Sequence, residues 1–536
     1  VREKRTPNSA ERRYQKTLSK NFTLYADYKK NFNDRHDLSV MVGTSHESEN
    51  YDRFTAKRIN FDQQENMSLQ LGSAQDQNAW SEGNQWTINS FFSRVNYTFA
   101  NKYVIEGTIR ADGSSRFDPD HRWGWFPGVN AAWRVGEEGF MKRLGWFEDL
   151  KVRASYGEMG NQSGIGLYDY IQLISLSNDY YPFGAGVKGQ MATSGNIIST
   201  SRTWETIQTT NVGFDFSTLN NRLYGSFDYF WKENKNMLIP KTYPSMLGAD
   251  APSTNSGHLS IHGWEISLGW RDQIKDFSYS VRFNISDAKN KVVDRVGSNL
   301  IKLGNNETPT GYPLNSYFGY EFDGIIQNEQ ELEAYKSRFS EGGIPGDLSV
   351  GDAMYKDLDG DGKLSVLGDG KEGDKNPRYN FGFNLSMAWK GFDLSAFIQG
   401  VGRRTMFLEG ESRCPMPEAW YQSAEYWYGK TWTPERTDAQ YPAITLKDKR
   451  NYNYYVSTNT KFNVAYARLK NLQFGYTIPQ TLTSKAGLQK VRVYFSGEDL
   501  FEVHNTPNGW DPEENSGSIT SYPFTRNYSF GINVVF

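Results

Sequence analysis

Long apolar runs are missing from this 536-residue chain. No stretch approaches the roughly 20 uninterrupted apolar residues that a membrane-spanning helix requires. That excludes a helical membrane protein but leaves spanning by strands open. Cysteine is almost absent: Cys414 stands alone, so no disulfide forms within the chain and no thiolate cluster can hold a metal. Excess charge is absent too, with 59 Lys and Arg against 62 Asp and Glu, and a net charge of -3 argues against a nucleic-acid partner. The charged start, VREKR, does not read as a signal peptide, so the chain as given is not expected to be a nascent export substrate. The six histidines are scattered; His258 and His262 fall on one face of a strand by their even spacing, with no third ligand evident.

What the chain has instead is aromatics. It carries 33 Tyr, 33 Phe and 15 Trp although its mean hydropathy is only -0.69. A water-soluble all-β protein needs a core rich in Val, Leu and Ile, whereas aromatics near strand ends suit girdles at two membrane interfaces around a polar interior. The last strand shows the pattern: Tyr528, Phe530, Ile532, Val534 and Phe536 alternate with Asn527, Ser529, Gly531, Asn533 and Val535. Period two puts the apolar set on one face. The same alternation recurs at Phe381–Trp389, Phe277–Ile285, Val212–Phe216 and Leu472–Ile478.

Strands are predicted at 17–29, 36–47, 86–100, 103–112, 124–134, 150–157, 204–217, 221–238, 258–270, 275–290, 378–389, 391–407, 461–479, 488–500 and 523–536. Their connections alternate almost without exception between short turns and long loops, the long ones lying at about 47–85, 158–203, 291–377, 408–460 and 501–522; 135–149 and 479–489 are longish members of the short class, and 111–124 is a brief member of the long class. Gathering tight turns at one end and long loops at the other is the habit of outer-membrane barrels, with periplasmic turns and extracellular loops; sandwiches and propellers show no such asymmetry. The expected fold is all-β, a transmembrane antiparallel β-barrel. About fifteen strands that begin and end in the inward direction form an open set, whereas bacterial single-chain barrels have an even number. The chain is therefore expected to be the C-terminal portion of a longer barrel. Two connections are expected to hold short helices: Gly136–Trp146, packed under the barrel through Phe140, Met141 and Leu144, and Glu329–Phe339 (EQELEAYKSRF) in the longest loop.

Several blocks make the chain resemble SusC/RagA-type TonB-dependent outer-membrane transporters of the Bacteroidetes. They are IRADGSSRFDPDHRWGWFPGVNAAWRVGEEGFM (Ile109–Met141), LKVRASYGEMGNQ (Leu150–Gln162), the Trp204–Phe230 and Asn376–Gly402 segments, ARLKNLQFGYTIP with VRVYFSGEDLF within Ala467–Phe501, and the terminal RNYSFGINVVF (Arg526–Phe536). The resemblance implies a 22-stranded plugged barrel whose plug and first roughly seven strands are not in this chain. It implies TonB-dependent import of a large polar nutrient, most often an oligosaccharide and sometimes a peptide. A SusD-like surface lipoprotein is expected as a lid, TonB as the source of force through the missing plug region, membrane lipid as surroundings, and a dimer of transporter–lid pairs as the assembly. A siderophore-type receptor and a passive porin are the alternatives within the barrel class. A carbohydrate-acting enzyme would need a carboxylate pair in a cleft, and nothing singles one out; no catalytic residue and no required cofactor are assigned.

Two features are candidates for contact with solute or ion. Trp420, Tyr421, Tyr426, Trp427, Tyr428 and Trp432, then Tyr452, Tyr454 and Tyr455, crowd one long loop; Tyr180, Tyr181 and Phe183 lie in another. Flat rings with polar edges suit sugar faces, with Arg413 and Glu418 as polar neighbours. The same rings equally suit packing of loops on each other or on a lid. The second feature is DLDGDGKLS. Asp357, Asp359 and Asp361 take positions 1, 3 and 5 of a calcium-loop spacing, Gly362 the turn, the Lys363 carbonyl position 7 and Ser365 position 9. Gly368 at position 12 supplies no carboxylate, so a structural calcium and an ion-free Gly/Asp turn both stay open.

Overall fold

The alternating runs join into one sheet. The computed structural model describes residues 8–62, 67–75, 77–183, 187–195, 197–240, 246, 252–295, 309–366, 370–373, 375–408, 412–416, 423–445, 451–514, 522 and 524–536. Fifteen strands hydrogen-bond to one another in chain order. They are β1 (Ser9–Phe32), β2 (His36–Ile59), β3 (Gln77–Phe99), β4 (Tyr103–Ser114), β5 (Trp123–Arg134), β6 (Asp149–Asn161), β7 (Glu205–Thr218), β8 (Leu223–Pro240), β9 (Ser253–Ile274), β10 (Phe277–Arg295), β11 (Arg378–Trp389), β12 (Phe392–Arg403), β13 (Tyr466–Thr477), β14 (Lys490–His504) and β15 (Asn527–Val535). Each predicted run coincides with one of them.

Tight turns explain the short connections. Asn33 and Asp34 take φ of 54° and 53°, Ala100 and Asn101 of 49° and 57°, and Lys390 and Gly391 of 46° and 89°. Two successive left-handed residues give a turn whose twist matches that of the flanking strands.

The first strands run further than alternation foretells. β1 and β2 pair without a break from Ser9↔Ile59 to Phe32↔His36, so the loop expected at 47–85 shrinks to the stretch between Ile59 and Gln77. Alternation marks only the part of a strand that meets two different surroundings. The ladder continues past it, because backbone pairing needs no apolar face.

Apolar side chains on one face of the sheet stand open. Phe530 is 84% exposed and Ile532 67%; Phe91, Ile105, Trp125, Val212 and Phe474 are exposed in the same way on other strands. A band of this kind far exceeds the patches that soluble monomers tolerate.

The chain divides into two compact units. The first comprises Val1–Ala132, Ala154–Thr210 and Glu233–His258. Its buried cluster is Phe117, Phe126, Ile165 and Trp204, and it carries a hairpin of Ile174–Phe183 with Val187–Ser194. The second comprises Trp133–Arg153, Asn211–Lys232 and Leu259–Phe536. In it the long connections fold into a body with its own small ladders: Tyr317–Tyr320 with Gly370–Gly373, Phe322–Ile325 with Ala353–Tyr355, and Thr405–Phe407 with Lys461–Asn463. The last of these splits off what the sequence suggests as the continuations of β12 and β13.

Both predicted helices form. Helix α1 is Gly139–Leu144 and α2 is Glu329–Lys336. The Asn328 side chain accepts from the Glu331 amide at 2.9 Å and caps α2, which buries Leu332 and Tyr335. α1 departs from expectation: Phe140 and Leu144 are not packed but about half exposed, at 49% and 51%.

Candidate functional site

Strand alternation delivers polar side chains to the other face of the sheet, where they pair across strands. In the second unit Arg153 reaches from β6 to Asp228 of β8 (2.5 and 2.7 Å) and Asp215 of β7 (3.2 and 3.3 Å), while Lys151 also pairs with Asp215 at 2.8 Å. Arg492 of β14 binds the Asp393 carboxylate of β12 at 2.9 and 2.5 Å and Gln473 of β13 at 3.0 Å. In the first unit the Glu106 carboxylate accepts from Asn96 at 3.3 Å and Asn130 at 3.0 Å. These pairs leave a face rich in donors and acceptors. A neutral polar solute can exchange water for such groups at small net cost.

The loop body of the second unit is built around tyrosines. Tyr320, Tyr335, Tyr355 and Tyr452 are buried together with Ile326, Leu332, Leu348 and Met354. The hydroxyls of Tyr335, Tyr355 and Tyr452 are satisfied internally: Tyr335 and Tyr452 share a hydrogen bond of 2.8 Å, the Tyr355 amide donates to the Tyr335 hydroxyl at 2.9 Å, and the Tyr355 hydroxyl donates to the Tyr452 carbonyl at 2.9 Å. Burial pushes the phenols of Tyr335, Tyr355 and Tyr452 above the usual range. A second cluster gathers Met406, Leu408, Cys414, Trp427, Tyr441, Tyr454, Val464 and Trp510.

The aromatic candidates divide on this frame. Trp427 and Tyr454 are 3% and 2% exposed, and Trp427 stacks edge-on against Tyr441 (4.7 Å) and Tyr454 (5.7 Å). Packing takes up their faces, so neither offers a stacking platform. Tyr426 is half-buried, with its hydroxyl on that of Tyr441 and Lys430 Nζ 3.6 Å from its ring centre. Trp432 is half-buried and donates to Gln327 Oε1 at 3.0 Å. Tyr428 stands open at 90% exposure. Trp420, Tyr421 and Glu418 lie outside the described residues, as do the side chains of Tyr180, Tyr181 and Phe183, whose backbone forms one strand of the Ile174–Phe183 hairpin.

The acidic loop gathers as its spacing requires. Single carboxylate oxygens of Asp357, Asp359 and Asp361 come within 4.8 Å of one another. The turn is held by amides: Gly360 and Gly362 donate to Asp357 at 2.6 and 2.8 Å, and Lys363 donates to Asp361 at 2.7 Å. Desolvation raises the Asp357 carboxyl, but the Gly362 and Gly360 amides outweigh it and hold the group below its ordinary value. Three hard oxygen donors from a tight turn suit a hard cation such as calcium; Ser365 is half-buried beside them, and Gly368 is outside the described residues. His258 Nε2 and Glu233 Oε2 lie 2.5 Å apart.

Sequence reasoning passes over two charged features. In the second unit Arg468, 2% exposed, binds Asp511 at 2.5 Å and Glu513 at 2.7 Å, and Arg404 Nη2 donates to the Pro512 and Glu514 carbonyls at 2.7 Å each. Two arginines thus pin the connection after β14. In the first unit a cleft of about 550 Å³ is lined by Tyr168, Asp169, Ile171, Leu173, Arg202 and Pro252. Neither feature has a local motif; both depend on residues brought together from separate connections.

Comparison with known proteins fits this sheet and its loops. A family model described as TonB dependent receptor-like, beta-barrel matches residues 3–500. The chain belongs to that family. TonB-dependent receptor P3 of Formosa agariphila is 31% identical over 97% of this chain and 52% of the relative. TonB-dependent receptor SusC of Bacteroides thetaiotaomicron is 27% identical over 96% of this chain and 50% of the relative. The RagAB peptide importer in its closed-closed state superposes with a TM-score of 0.81 at 25% identity, covering 98% of this chain and 56% of that one. The chain thus spans about half the length of the curated relatives it matches. As a TonB-dependent receptor barrel it resides in the outer membrane, which gives its exposed apolar face a lipid environment.

Proposed function

We propose that this TonB-dependent receptor barrel serves active import of a large polar nutrient, an oligosaccharide or a peptide, under a SusD-like lipoprotein lid. The observation that carries the reading is the 31% identity to a TonB-dependent receptor over 97% of the chain, joined to a polar sheet face on which charged side chains pair across strands. Energy coupling is assigned to the half of the relatives' length that this chain does not cover. No reaction is assigned to it.

The oligosaccharide remains the first substrate reading, supported by the likeness to SusC. A peptide is the second. It gains from the resemblance to a solved peptide importer and from the burial of Trp427 and Tyr454, which removes two of the platforms a glycan would use. A siderophore receptor and a porin are less favoured, since one of the relatives that match nearly the whole chain is named SusC. The test is mass spectrometry of what co-purifies with the chain from native outer membranes in mild detergent. A surface lipoprotein together with bound glycan or peptide is the expected result. A stable barrel with no partner would overturn the importer reading in favour of a passive pore.

A further inference from the structure

Among the described residues, the connection between β5 and β6 carries an apolar surface that stands open. Phe140 and Leu144 lie four apart on α1 and so share one face; they are 49% and 51% exposed, and Trp146 just beyond is 67% exposed. The segment is well made. Lys142 N–H donates to the Glu138 carbonyl at 3.0 Å, and Gly145, at φ 62°, closes the helix by donating to the Met141 carbonyl at 3.1 Å. Its exposure is therefore a property of a folded element.

Three contacts fix which face of the sheet it adjoins. Trp133, exposed on the apolar face together with Trp125 and Val129, donates from Nε1 to Glu138 Oε1 at 3.2 Å. At the other end the Phe147 ring meets Phe216 edge-on at 6.4 Å, and Phe216 shares the apolar face with Phe214. Thr218 Oγ1 donates to the Trp146 carbonyl at 2.5 Å. Both ends of the connection are thus tied to the side of the sheet that meets lipid, at the short-turn end.

We propose that α1 and Trp146 form a foot that lies in the lipid leaflet at that end, with Phe140, Leu144 and Trp146 sunk into the boundary between headgroups and acyl chains. The surface continues the lipid-facing band, and its residue types are those that settle at such a boundary, at a depth of about 5–10 Å. Of the nearby charges, Lys142 pairs with Glu137 at 2.6 Å, Arg134 lies 3.7 Å from Glu137 and 3.9 Å from Asp149, and Arg143 donates to the Gly139 carbonyl of its own helix at 3.1 Å. Apolar insertion, and not recognition of a particular headgroup, is the driving term.

The chain's single cysteine, Cys414, is buried, so a fluorophore can be attached selectively at Phe140→Cys. The labelled protein is placed in phosphatidylethanolamine–phosphatidylglycerol vesicles carrying a nitroxide high on the acyl chain. The foot requires nitroxide quenching of about twofold or more at this depth and weak quenching by aqueous iodide. Quenching by iodide alone places the helix in water and overturns the proposal; quenching by neither places it under protein and also overturns it. Glu333→Cys, whose parent side chain is 74% exposed in the loop body, serves as the water reference. Phe530→Cys reports the sheet face itself, so quenching there with none at Phe140 rejects the foot while leaving the barrel intact.

Discussion

The strand ladder and the loop body spend the same residue types in opposite ways. On β15 Tyr528 and Phe530 face outward at 62% and 84% exposure, whereas Tyr355 and Tyr452 in the loop body are all but sealed. The ladder relies on surrounding lipid to take its rings and on backbone pairing for cohesion. The loop body stands in water and must build a core of its own, which it does with hydroxyls bonded to one another and to carbonyls. Aromatic content in such a chain therefore marks neither membrane nor binding site until the length and period of each segment are known.

The sharpest way to break the comparison is to remove one ring from each region. Tyr355→Ala should cost the loop body about 3–5 kcal/mol through the cavity and the orphaned partners. Hydrogen exchange should show fast amides across the Tyr317–Tyr355 stretch with β11–β15 still protected. Phe530→Ala, by contrast, empties no core and should leave those strands unchanged.

Next in size is charge on the ladder. Phe530→Arg should lower stability against urea in vesicles by about 2 kcal/mol, while Ser529→Arg, on the polar face one residue away, should stay within about 0.5 kcal/mol. Equal losses at the two positions would mean that the faces are not the lipid and solute sides described.

A third comparison uses pH. Burial raises the phenols of Tyr335, Tyr355 and Tyr452 in the folded loop body. The unfolded chain ionises near pH 10, so above that pH the unfolded state binds fewer protons than the folded one. Stability is then unaffected below about pH 10 and falls as pH rises past it. Exchange in the loop body should quicken there beyond the ordinary base-catalysed increase, and Tyr452→Phe should reduce the effect.

These expectations also show where sequence reading ends. All fifteen strands were legible because lipid on one side and polar groups on the other imprint period two on Phe381–Trp389 or Asn527–Phe536. The far halves of β1 and β2 were not, since both faces there are polar and only the ladder hydrogen bonds remain. α2 was legible from Leu332 and Tyr335 at helical spacing behind Asn328. The burial of Trp427 and Tyr454 was not, because a ring that packs and a ring that stacks on solute leave the same letter in the sequence. Arg468 and its partners Asp511 and Glu513 lie more than forty residues apart, a pairing set by the return of the chain and not by any motif.

The smallest effect is expected at the acidic loop, where sequence and geometry agree and the ligand is still a proposal. Asp357, Asp359 and Asp361 supply the first half of a calcium-loop donor set, but position 12 is a glycine in the sequence. A site short of its bidentate carboxylate should bind in the weak range, about 10⁻⁴–10⁻³ M. Adding millimolar calcium should then slow exchange only at the amides around Asp357–Ser365, and chelation should reverse it without disturbing the Tyr355 core. Asp359→Asn and Asp361→Asn together should abolish the response while preserving the turn, since amide oxygens can still accept from the Asp361 and Lys363 N–H groups. Because the Asp357 carboxyl is held low by the Gly360 and Gly362 amides, it stays ionised through neutral pH. Calcium protection should persist as pH falls to about 4, near the ordinary carboxylate value, and vanish only below it. Protection that survives the double substitution would mean that the three carboxylates serve the turn alone.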